Sequence, residues 1–189
     1  MIKYHKEITS MSYASEFNEI SQSVKSNECL KDRILGLIKL EPIPGKAIEG
    51  EERLENLKDI LTNYFSSSID LAQAIDDVEF RLPRHYSPHE HNNRVFPQGW
   101  AERLVRTNVS SFYNQAVLQE IVESGGLECF VDHSSSEGAD SNCSKKLAGR
   151  KHDAADLLQR LTNVYRNGNW SKEVKIPDHP HCTHTVQPV

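Results

Sequence analysis

Apolar residues recur along most of this chain at three- and four-residue spacing, and only near the C-terminus does the spacing shorten to two. Over residues 12–40, Phe17, Ile20, Val24, Leu30, Ile34, Leu37 and Ile38 fall on one helical face, with Ser26-Asn27 as a candidate break into two helices. Glu41-Pro42-Ile43-Pro44-Gly45 stops that pattern, because each proline biases the residue before it away from helix. A second helix is predicted from about Glu51 to Val78, with Leu54, Leu57, Ile60, Leu61, Tyr64 and Phe65 on one face, continued by Ile69, Leu71, Ala72 and Ile75. The clearest helix runs from about Gln98 to Ser124, where Trp100, Leu104, Val105, Val109, Phe112, Tyr113, Ala116 and Val117 keep register until Gly125-Gly126 ends it.

Leu127–Asp132 then alternates apolar and polar residues as a half-buried strand does, and a polar Ser/Gly/Asp-rich loop follows over 133–144. A fourth helix is predicted over Asp153–Arg166, with Asp153 as its N-cap and Leu157, Leu158, Leu161, Val164 and Tyr165 as its apolar stripe, ended by Asn167-Gly168-Asn169. Thr183–Val186 is short and β-prone, and is placed to pair with Leu127–Asp132. These elements predict an α+β fold: a helical N-terminal arm (1–81), a Pro/His-rich linker (82–97), and a domain over 98–189. In that domain a long helix packs on a small antiparallel sheet closed by the C-terminal strand.

Composition narrows the partners. Only 37% of the 189 residues are hydrophobic, a low share that points to an elongated or partner-stabilised molecule. The net charge of −5 lies entirely in residues 1–93, with 11 Lys/Arg against 16 Asp/Glu, while residues 94–189 carry 11 of each. Neither half has the basic excess of a dedicated nucleic-acid binder. No stretch is apolar and long enough for a membrane span, and Met1–Lys6 are not followed by the apolar run of a secretory signal. Reduced thiols are therefore expected at Cys29, Cys129, Cys143 and Cys182, which include no C-x-x-C pair.

The candidate chemistry gathers in the last third. Eight of the nine histidines follow residue 84, and the chain ends on His179-Pro180-His181-Cys182-Thr183-His184-Thr185-Val186-Gln187-Pro188-Val189. In an extended tail Cys182 and His184 share one face and His179 and His181 the other. Cys143, Cys182, His179 and His184 form a candidate zinc set, with His133, His152 and His181 as further imidazoles within reach, since zinc takes four nitrogen or sulfur ligands. A second reading follows the order of an HNH-type nuclease: His133 at a strand end to activate water, Asn142 to orient the loop, and His152 near a helix start at a metal. The trio His85, His89 and His91 lacks a cysteine or a helical register and reads as linker. No Gly-x-Ser-x-Gly elbow and no phosphate-cradling glycine loop is present.

Five pieces in order resemble the phage head morphogenesis (Mu F-type) minor head protein family. They are Arg106-Thr107-Asn108 on the long helix, Gly125-Gly126, Asp140 with Cys143, Leu147-x-Gly149, and His179-Pro180-x-Cys182 with Pro188. The resemblance covers about residues 98–189. Two features depart from it: many members carry a Cys pair where this chain has only Cys143, and the stretch from Gly149 to His179 is longer by a helix. The resemblance implies a low-copy structural component of a tailed-phage head, in the virion interior and in the host cytoplasm during assembly. Its partners would be the portal and capsid interior proteins, with packaged DNA contacted by some members. It implies no turnover: Arg106, Asp140, Cys143, Gly149, His179 and Cys182 would serve as structural positions.

Overall fold

The computed structural model describes residues 12–50, 52–166 and 173–189. Its elements run α1 (Ile20–Ser26), α2 (Glu28–Leu40), α3 (Arg53–Phe65), α4 (Leu71–Arg81), α5 (Trp100–Glu123), β1 (Glu128–Val131), α6 (Asn142–Lys146), β2 (Arg150–Asp153), α7 (Ala154–Arg166) and β3 (Val186–Pro188). The class is α+β as the pattern predicts. The long helix lies against a three-stranded antiparallel sheet of order β2-β1-β3, closed by the C-terminal strand.

Helix α5 is the axis of the molecule. The helical N-terminal segment packs on it through α2, α3 and α4, while α7, β1 and β3 pack on it too. One buried cluster runs through all of these elements, from Phe17 and Ile34 through Leu61 and Val109 to Val131, Leu161 and Val186. A helix wrapped by neighbours is apolar around most of its circumference, which is why α5 buries 13 of its 24 residues. Three of them, Ser110, Asn114 and Gln115, are polar and nearly inaccessible. Asn114 holds its place by donating to Ser110 O (2.8 Å) and accepting from Val186 N–H (2.9 Å), which ties β3 to the helix.

Elsewhere the expected boundaries shift for local reasons. Asn27 does break the first helix, and its side chain accepts from Leu30 N–H to cap α2. The helix expected over Glu51–Val78 is two helices, because Ser67 takes φ +59° and Asp70 opens α4 with a capping box shared with Gln73. Asp153 caps α7 as expected, accepting from Asp156 N–H at 2.7 Å. In front of it stands β2, an edge strand of four polar residues that the alternation rule does not find. The side chains of Val164 and Tyr165 and the stop at Asn167-Gly168-Asn169 lie outside the described residues. Residues 82–97 fold back onto the helices: Arg53 of α3 donates to Pro83 O at 2.9 Å and Phe96 is buried edge-on to Trp100 of α5, while His89 Nε2 meets Glu49 Oε2 at 2.6 Å. No helix among the described residues is long and apolar enough to cross a membrane.

Candidate metal centre

Between β1 and β2 the chain makes a polar excursion, and the C-terminal tail crosses it before entering β3. Ser141 caps α6 by accepting from Ser144 N–H at 3.1 Å, which fixes Cys143 in the first turn of that short helix. The tail turns at His179–Cys182, where Cys182 N–H donates to His179 O at 3.0 Å. That turn brings His179 round to the side of Cys182. The alternation argument had put the two on opposite faces, and it holds for Cys182 and His184, which are both fully buried while His181 is exposed. The N-terminal segment closes the third side: Glu16 accepts from Ser135 N–H and from the Ser134 hydroxyl, Phe17 N–H donates to Thr183 O, and Thr185 Oγ1 to Ala14 O.

The result is a group of ligand atoms from Glu137, Cys143, His179 and Cys182 that all lie within 4.8 Å of one another and could hold a metal ion. The edges at Cys143 to the second sulfur and to the imidazole have the lengths of a coordination tetrahedron, while those of Glu137 are hydrogen bonds. The two sulfurs are 3.7 Å apart, and Cys143 Sγ lies 3.5 Å from His179 Nε2. Thiolates at 2.3 Å from a tetrahedral ion sit about 3.8 Å apart, and a thiolate and an imidazole nitrogen about 3.5 Å. Glu137 Oε1 is 2.8 Å from His179 Nε2 and 3.0 Å from Cys143 Sγ. His184 stands beside this group, its Nδ1 3.2 Å from Glu137 Oε2 and 3.8 Å from Cys182 Sγ, with Nε2 3.3 Å from Ser144 Oγ. The expected set thus gathers, but the fourth corner is taken by Glu137, with His184 behind it.

The contacts of Cys143, His179 and Glu137 are not those of a hydrolytic triad, whereas His184 meets Ser144 Oγ through Nε2 and Glu137 Oε2 through Nδ1. A catalytic imidazole takes the nucleophile's proton on one ring nitrogen and is oriented through the other. Here the thiol and the carboxylate both face Nε2 of His179, so the three groups converge on one point. The electrostatics agree. The Cys182 thiol donates to Cys143 and, against burial, draws its pKa well below the usual thiol range. That same bond, with burial, pushes Cys182 up. Burial would raise Glu137, but hydrogen bonds from Cys143, Ser141, Thr183 N–H and His179 outweigh it and leave the carboxyl well below its usual range. Burial likewise pulls His179 and His184 down, and their bonds to Glu137 and Cys143 lift both above the ordinary imidazole value. The Glu137 carboxylate, held ionised between raised imidazoles and beside the two sulfurs, gives the group a negative charge suited to a cation.

The remaining sequence candidates fall elsewhere. Asp140 is fully exposed and pairs with Lys145 at 3.2 Å; the acid of this loop that faces Cys143 is Glu137. Nothing in the local sequence separates the two acids, and only the fold selects between them. Gly149 is structural: it sits at φ +70°, its N–H donates to Val131 O at 2.7 Å, and a Cβ there would lie 2.2 Å from His133 Nε2. Arg106 lies away from the cluster, stacked 4.1 Å over the Phe17 ring. The nuclease trio occupies a strand–strand–helix succession, β1-β2-α7, but His133 and Asn142 are exposed and His152 Nε2 is 2.8 Å from Leu147 O. Neither His133 nor His152 belongs to a metal-ligating group among the described residues.

No family model, no curated protein and no solved structure matches the chain.

Proposed function

We propose that this chain is a non-enzymatic, zinc-pinned structural protein of the kind that the minor head protein resemblance implies. In that reading it is a low-copy component of a tailed-phage head, acting in head assembly or genome delivery. The observation that carries it is the convergence of the Cys-bearing loop (Glu137, Cys143) with the His-Pro-x-Cys tail (His179, Cys182) on one buried point. These two segments also carry the resemblance, and their meeting supports the idea that the motif exists to tie them. Mixed thiol, imidazole and carboxylate donors suit zinc before the harder Mg²⁺ or Ca²⁺. The sulfurs are buried and all four corners come from the chain, as in sites that stabilise folds.

The exposed faces of the N-terminal helices would then serve docking to portal or capsid interior proteins. Contact with packaged DNA would have to be local, since the chain as a whole is acidic. The test is threefold: elemental analysis of the purified protein, a plasmid-nicking assay in Mg²⁺ and Mn²⁺, and a search for the chain in purified virions. About one zinc per chain, no nicking, and a low-copy virion protein are expected. Nicking that disappears in His133→Ala would replace this reading with the HNH-like nuclease using His133, Asn142 and His152.

A further inference from the structure

The two sulfurs of the cluster are in direct contact, 3.7 Å apart, and no other pair of cysteine sulfurs is in contact among the described residues. Cys143 belongs to the loop and Cys182 to the tail, 39 residues further along the chain. A disulfide needs its sulfurs at about 2.05 Å, so closure moves them together by about 1.7 Å. Cys143 is the second residue of a five-residue helix and Cys182 closes a turn, so the approach needs no displacement of a long helix or of a sheet strand. The other two cysteines make natural controls. Cys29 is exposed on α2, and Cys129 is buried in β1 with its sulfur against His152 O at 3.6 Å.

We infer that Cys143 and Cys182 are a redox cross-link site, closing to a disulfide when the metal is absent and hydrogen peroxide is present. The loop and tail then have two alternative ties, a metal or a covalent bond, which exclude each other. In the first step the Cys143 sulfur attacks one peroxide oxygen. The O–O bond breaks, and Cys143 becomes a sulfenic acid as the other oxygen leaves as water. In the second, the Cys182 sulfur attacks the Cys143 sulfur, the S–O bond breaks, and a second water leaves. Two thiols lose two electrons and two protons to one peroxide, and the balance closes. The Cys143 thiol donates to Glu137 Oε1 at 3.0 Å, and its proton leaves along that bond. The side chain of His179 is 35% exposed and lines a cavity of about 310 Å³ beside Phe112 and Leu161, so a small oxidant in that cavity is one side chain away from Cys143 Sγ. A bound metal holds the lone pairs of both sulfurs and blocks the attack.

This inference leans on the metal reading only for the protection step, and the experiment separates the two. A Cys29→Ser variant is stripped with a chelator, treated with hydrogen peroxide, and examined by thiol titration and peptide mass mapping; the same is done after loading with zinc. The expected result is loss of two thiols and a Cys143–Cys182 linked peptide in the stripped protein, Cys129 remaining free, and none of this in the loaded protein. Should stripping unfold the chain, the loaded protein is titrated with peroxide far above the earlier dose, and once the metal is displaced one zinc must leave for each disulfide formed. Retention of all three thiols, a link through Cys129, or zinc release without a disulfide overturns the inference. A chain that takes up no zinc but forms the link defeats the metal reading and leaves the cross-link standing.

Discussion

Glu137→Gln tests the cluster most directly, since it removes a charge and changes shape very little. The carboxylate accepts from Thr183 N–H at 2.8 Å and Thr183 Oγ1 at 3.1 Å, and faces His179 Nε2 at 2.8 Å, with only 8% of its side chain exposed. A glutamine keeps one accepting oxygen for the Thr183 pair and turns its NH₂ toward the N–H of His179. One charge-assisted bond, about 1.5–3 kcal/mol, is lost outright, and the two from Thr183 fall to neutral strength at about 0.5 kcal/mol each. The metal-free variant should therefore be less stable by about 2–4 kcal/mol, a large part of the roughly 5–15 kcal/mol that holds a domain together. Urea unfolding followed by circular dichroism, in chelator, measures this. The pH dependence gives a second handle. The folded pKa of Glu137 lies below its unfolded value of 4.5, so its contribution is complete above that value and is lost as pH falls through the folded one. The stability gap between wild type and Glu137→Gln should hold near neutrality and close on acidification. A gap under about 1 kcal/mol near neutral pH, or one that acid leaves unchanged, refutes the placement of this carboxylate.

Three further outcomes follow from the same geometry. Cys182→Ser should lower zinc content to well under one per chain and make the tail a target for limited proteolysis, with α1–α5 protected; unchanged zinc content would remove Cys182 from the ligand set. Gly149→Ala should cost about 1–2 kcal/mol for the left-handed backbone, plus a steric part against His133 that disappears when His133→Ala is combined with it. A double-mutant cycle reads that coupling, and additive costs would mean that His133 does not lie over Gly149. Asn114→Ala strips β3 of its tie to α5 and leaves Val186 N–H buried without a partner, which should cost about 2–3 kcal/mol in thermal or urea unfolding. Hydrogen exchange that stays slow at Val186 in that variant would show that the strand finds another acceptor.

The patterns that were legible in the sequence are those set by a single element. The period of α5, the alternation of β1 and the cap at Asp153 each depend on neighbours a turn away, and each stands in the structure. The break between α3 and α4 was written there as well, in Asp70-x-x-Gln73 after three serines, but a continuous apolar face from Tyr64 to Ile75 hides it. β2 was not legible, because an edge strand whose residues all face water or charge has no apolar alternation to betray it. The metal group shows the same division. Cys143, Cys182 and His179 stand out by residue type alone, yet choosing Glu137 over His184 as the fourth member needed two facts that no local pattern contains: the turn that swings His179 round, and the bond from Thr183 N–H that aims the Glu137 carboxylate inward. The loop over 133–144 reads as solvated because it is polar. A loop that surrounds a charged centre must also be polar, since its hydroxyls and carboxylates satisfy one another inside. Ser134, Glu137, Ser141 and Thr183 do so here, each bonded within the protein. The same composition serves both cases, and only the C-terminal tail laid across the loop decides which one this is.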